Sequence, residues 1–94
     1  MLEKAIEEII TERETMIRAM NKIEGVTAYP SRANFILFET PCNPGDIFSR
    51  FLEDGLLVRD VSSYHMLGKA LRVSVSTPSD NRKFLKSLER IMQH

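Results

Sequence analysis

Tryptophan is absent from this sequence, cysteine occurs once and histidine twice. A lone Cys42 cannot close an internal disulfide, and with only His65 and His94 beside it no four-ligand zinc set can be assembled. A reducing, cytoplasmic setting is the expectation. Glycine is sparse: Gly25, Gly45, Gly55 and Gly68 stand singly, which excludes a GxGxxG turn or a P-loop phosphate cradle. Net charge is missing as well. Thirteen Lys plus Arg balance 13 Asp plus Glu, so the molecule lacks the positive field that would hold a polyanion, and nucleic acid is excluded as a default partner. No segment approaches the ~20 apolar residues of a membrane span. The opening MLEKAIEEII carries acids where a signal peptide needs a basic segment, so neither a membrane nor a secretory route is expected.

What is present fits one small globular domain over residues 1–94, with 43% hydrophobic and 28% charged residues. Leu2, Ile6, Ile9, Ile10, Met16, Ile17, Met20 and Ile23 recur at three- and four-residue steps, predicting a long amphipathic helix that Gly25 ends. No capping side chain precedes it, so it reads as the continuation of a longer helix in a parent protein. Val26 to Tyr29 and Asn34 to Glu39 follow as strands. The second, NFILFE, is apolar on both faces, which calls for cover on both faces and points to a second layer outside the chain. Asn43-Pro44 caps a short helix carrying Ile47, Phe48, Phe51 and Leu52 up to Gly55. Leu56 to Val61 reads as a strand, and Leu71 to Ser76 as the cleanest alternating one. Thr77-Pro78-Ser79-Asp80 then opens a third helix striped by Phe84, Leu85, Leu88, Ile91 and Met92. The order α-β-β-α-β-β-α predicts an α+β sandwich, a small, mostly antiparallel sheet with helices on one face.

Chemistry has few carriers here. Alternation turns Leu71, Val73 and Val75 to the core and Arg72, Ser74 and Ser76 away from it. On that outer face Arg72 either clamps a carboxylate or phosphate with its planar fork, or forms a cross-strand salt bridge to Glu39 or Asp60. Arg59 carries the same choice. Cys42 and His65 offer a thiol and a base, yet Cys42 sits in a proline-bounded turn with nothing to activate it, and no catalytic residue is assigned. Arg82, Lys83, Lys86 and Arg90 form a basic stripe that suits a solvated helix end. An RNA-recognition strand is ruled out by Ser31, Arg32 and Ala33 standing where that motif needs a basic residue, a glycine and an aromatic.

Taken in order, ANFILF, GLLVRDVSSY and LRVSVSTPSDN followed by an amphipathic helix resemble the C-terminal small domain of histidinol-phosphate aminotransferase, a fold-type I enzyme. Threonine-phosphate decarboxylases are close relatives of that family. The resemblance implies a pyridoxal-phosphate-dependent transaminase of histidine biosynthesis that exchanges an amino group between glutamate or 2-oxoglutarate and imidazole-acetol phosphate, in a homodimeric parent. It implies that Arg72 grips the co-substrate carboxylate, with Arg59, Asn34 and Tyr64 as secondary candidates. It further implies that the large, cofactor-binding domain is absent here, so that the chain alone binds no pyridoxal phosphate and is inactive. Ser76 stands where relatives usually carry glycine, and His65 where many carry proline. A different class of reading remains open: a free-standing α+β module for interaction, ligand sensing or dimerisation.

Overall fold

The computed structural model describes residues 2–56, 58–62 and 68–93, with side chains from residue 6 onward. Tyr64 and His65 lie outside the described residues. Seven elements follow the expected order: α1 (Leu2–Asn21), β1 (Thr27–Ala28), β2 (Phe35–Glu39), α2 (Pro44–Glu53), β3 (Arg59–Asp60), β4 (Ala70–Ser74) and α3 (Pro78–Met92).

Local chemistry sets the helix ends. The Asn43 side chain accepts from the amides of Gly45 and Asp46, and Thr77 accepts from the amide of Asp80, so two of the orphan donors are satisfied in α2 and one in α3. Pro44 and Pro78 occupy first turns, where a missing N–H removes no helical bond. α1 stops at Asn21, short of the expected Gly25. Lys22 and Ile23 donate to carbonyls three residues back, which tightens the chain out of the α-helical path. Asn21 itself leaves the helix to bind β1, accepting from the Ala28 amide at 2.8 Å and donating to its carbonyl at 3.2 Å. Gly25 adopts φ +88° in the turn that follows, where a Cβ would press on Met92 and Pro41 at 3.2 and 3.3 Å.

All pairings in the sheet are antiparallel, in the order β1-β2-β4-β3. β2 and β4 pair along their whole length, from Phe35 opposite Ser74 to Glu39 opposite Ala70. Ile36, Phe38, Leu71 and Val73 form one sheet face, and they share a single buried core with Met16 and Met20 of α1, Ile47 and Phe51 of α2, and Phe84 and Leu88 of α3. The helices therefore cover one side of the sheet, as the strand alternation predicts. At its centre Phe38 meets Phe51 and Phe84 edge-on, while Phe51 and Phe84 stack with ring centres 5.1 Å apart.

β3 and β4 are shorter than the sequence predicts. Leu56 still donates back to the Phe51 carbonyl at the end of α2, so β3 begins only at Arg59. β4 stops at Ser74 instead of Ser76. Beyond it the Ser76 amide is taken by the Asn81 side chain of α3 at 2.9 Å, while the Ser76 hydroxyl donates to Asp80.

A polar clamp joins the last two helices. Asp54, just past α2, accepts from the Ser87 hydroxyl and from the Arg90 guanidinium. The Ser87 hydrogen bond, assisted by Arg90 and opposed by partial desolvation, holds the Asp54 carboxyl below its ordinary range. A depressed folded value stabilises the fold above about pH 4, the unfolded aspartate range, and that contribution is lost as pH falls through the folded value. Asp54→Asn should therefore lower the melting temperature at neutral pH, with the gap to the unsubstituted chain closing on acidification. Paired melting curves over a pH series check this, and a pH-independent gap would contradict it.

Candidate anion-binding site

Cross-strand register builds the site on the sheet face turned away from the helices. Arg72 sits between the buried Leu71 and Val73, so alternation sends its side chain outward, opposite Leu37 on β2 and Arg59 on β3. Its guanidinium carbon lies 4.7 Å from the centre of the Phe35 ring, one diagonal step along β2. A weakly hydrated, planar cation stacks well on such a ring, and stacking leaves its in-plane N–H donors directed outward.

Neither of the two acids that could neutralise Arg72 pairs with it. One Asp60 oxygen accepts from the Ser62 amide at 2.9 Å and from its hydroxyl at 2.6 Å. Glu39 acts on Tyr29, whose phenol is raised above its ordinary pKa first by burial and then by the charge and hydrogen bond of Glu39. Among the described residues no carboxylate lies within ion-pair distance of Arg72. Its directly opposed neighbour is instead a second cation, Arg59. Like charges in cross-strand positions destabilise a sheet, and an anion held by both relieves that repulsion.

A shallow depression of about 520 Å³ gathers Arg59 and Arg72 with Asp60, Ser74, Phe48 and Val58. Of the sequence candidates, Arg72 and Arg59 are thus brought together. Asn34 is exposed at the start of β2, outside that lining, with its carbonyl accepting from the Val75 amide at 2.8 Å. Tyr64 lies outside the described residues. Phe35 is the neighbour of Arg72 that periodicity missed: it reads as an apolar residue awaiting a second layer, and only strand pairing sets it under Arg72. A roomier groove of about 700 Å³ runs between α1 and the turn into α3, but Glu7, Glu8 and Glu12 rim it and repel anions. Cys42 is exposed in its turn.

A covalent pyridoxal-phosphate site needs a lysine shielded from water, beside groups that lower its pKa. Lys22, Lys69, Lys83 and Lys86 are all exposed, and none lines the Arg72 depression. The described residues of this chain do not fit that cofactor by themselves. Among them no group of His, Cys, Asp and Glu could hold a metal, and no helix is long and apolar enough to cross a membrane.

No family model matches the chain. Its backbone superposes on L-threonine-O-3-phosphate decarboxylase from Porphyromonas gingivalis with a TM-score of 0.88 at 25% identity, covering 94% of this chain and 28% of that one. It superposes on histidinol-phosphate aminotransferase from Clostridium acetobutylicum with a TM-score of 0.84 at 23% identity, covering 90% and 26%. Fold and superpositions together define a small α+β domain of the fold-type I aminotransferase kind, a family that depends on pyridoxal phosphate.

Within that class the chain belongs to the histidinol-phosphate aminotransferase family and corresponds to the C-terminal part of those enzymes. It is 48% identical over 89 residues to that enzyme from Aquifex aeolicus (strain VF5), which takes in 95% of this chain and 25% of the relative. The chain spans about a quarter of the length of the curated relatives it matches.

Proposed function

We propose that this chain is the substrate-gripping part of a pyridoxal-phosphate-dependent transaminase that exchanges an amino group between glutamate or 2-oxoglutarate and imidazole-acetol phosphate. Arg72 holds the carboxylate of the co-substrate, and Arg59 adds positive charge beside it. One observation carries this reading: a guanidinium stacked on Phe35 with no carboxylate within ion-pair distance among the described residues. Two-point recognition of a carboxylate or phosphate is what such a fork does best. Cofactor chemistry resides in the remainder of a polypeptide about four times this length, the large domain, and the chain alone is inactive. Sequence identity favours the transaminase. The superposition on the threonine-phosphate decarboxylase favours a second reading, a decarboxylase small domain, with the same arginines directed at a phosphorylated amino acid.

The test titrates the chain with 2-oxoglutarate, inorganic phosphate and acetate while following the arginine side-chain N–H resonances. The expected result is a saturable shift of Arg72 with a dissociation constant on the order of 1 mM, because one half-buried fork supplies only a few kcal/mol. Acetate should bind more weakly than 2-oxoglutarate. Mixing with pyridoxal phosphate should give no borohydride-reducible adduct confined to one lysine. An Arg72 that no anion moves, or a single lysine labelled stoichiometrically, contradicts the proposal. In the complete polypeptide, release of carbon dioxide from threonine phosphate without amino transfer would select the decarboxylase reading.

A further inference from the structure

We infer that Arg13 is a positioning residue for the anion site, steadying the turn that seats Phe35 beneath Arg72. This rests on the proposed role of Arg72. Arg13 lies on the core-facing side of α1 with Met16, Ile17 and Met20 and is only 8% exposed. A guanidinium so deeply buried costs several kcal/mol unless its five N–H groups are well paired. Here one terminal nitrogen donates to the Ala33 carbonyl at 3.4 Å and the other stands 3.7 Å from the Glu14 carboxylate. The buried Nε has no hydrogen-bond partner among the described residues. Long contacts and an orphaned donor are a poor return on that desolvation, so stability does not account for an arginine here. An apolar side chain of similar length would serve the core at least as well.

What the arginine does achieve is reach. Its contact spans 20 residues of sequence, from α1 to the turn ahead of β2. That turn is held internally by Ser31, whose hydroxyl accepts from the Ala33 amide at 3.1 Å and donates to the Phe35 carbonyl at 2.6 Å. It is tied to the body of the domain on one side by the Val75 amide, which donates to the Asn34 carbonyl at 2.8 Å. Arg13 ties it on the other. Strand pairing holds the Phe35 backbone opposite Ser74, and the Arg13 contact fixes the turn that leads into it, and with it the angle at which the ring is presented as the platform on which Arg72 stacks. A shift of about 1 Å in that platform would misdirect the fork.

The experiment compares Arg13→Met and Arg13→Lys with the unsubstituted chain, reading the ring-current displacement that Phe35 imposes on the Arg72 side-chain protons, with circular dichroism reporting the folded population. The expected result is a folded methionine variant in which the Arg72 displacement falls by at least half. The lysine variant, keeping the charge and a donor, should retain more of it. A folded methionine variant with an unchanged Arg72 displacement would overturn the inference, and Arg13→Gln, which shortens the side chain and removes the charge, decides it by the same readout if the methionine variant does not fold. The readout needs no ligand. Failure of anions to move Arg72 in the unsubstituted chain would therefore count against the proposed function and leave this test standing.

Discussion

Arg72→Ala, made in the complete polypeptide, should raise the Michaelis constant for 2-oxoglutarate about 100-fold while leaving the affinity for pyridoxal phosphate within about twofold. Two charge-assisted hydrogen bonds from one fork contribute roughly 1.5–3 kcal/mol each, and tenfold corresponds to about 1.4 kcal/mol, so part of that energy remains even after water replaces the guanidinium. Arg72→Lys should recover only a minor share, because an ammonium keeps the charge but loses both the bidentate geometry and the stack on Phe35. Phe35→Leu is the companion change. It preserves apolar bulk, removes the ring face, and should weaken the co-substrate by a smaller factor than Arg72→Ala. Steady-state kinetics with separate determination of cofactor binding would check all three. Parallel loss of cofactor and co-substrate would make Arg72 a structural residue instead.

Phe38→Ala should be the most destabilising single change on the sheet. Phe38 is fully buried and is edge-on to both Phe51 and Phe84, so truncation removes transfer energy and also opens a cavity that two stacked rings cannot collapse into. Substitutions of this kind cost about 3–5 kcal/mol. A chain of this size commands only about 5–14 kcal/mol in all, so roughly a fifth or more of its stability should vanish. At roughly 4–8 °C per kcal/mol, the melting temperature should drop by about 12–40 °C. Leu37→Ala, its neighbour on the opposite face, is the control. Leu37 is half-buried, so its truncation should cost clearly less. Equal losses at the two positions would mean that both faces are packed alike, contrary to the one-sided arrangement of helices.

Much of this architecture was legible from local pattern. The caps at Asn43 and Thr77 depend on side chains within three residues of the amides they serve, and the alternation through Leu71, Arg72 and Val73 depends only on strand geometry. The boundaries drawn too generously failed for a shared reason. Asn21 left its helix for Ala28, Ser76 gave its amide to Asn81, and Leu56 stayed with Phe51, each through a partner chosen by packing.

The site divides in the same way. By itself the sequence determined that Arg72 points away from the core, that charge is balanced overall, and that the motif order resembles one family of aminotransferases, because these follow from residue type, period 2 and chain order. Only the tertiary structure decided that Arg72 rests on Phe35, faces Arg59, and pairs with neither Glu39 nor Asp60. Strand register and side-chain hydrogen bonding join residues distant in sequence, and no local periodicity encodes which of several acids or rings will stand beside a given cation.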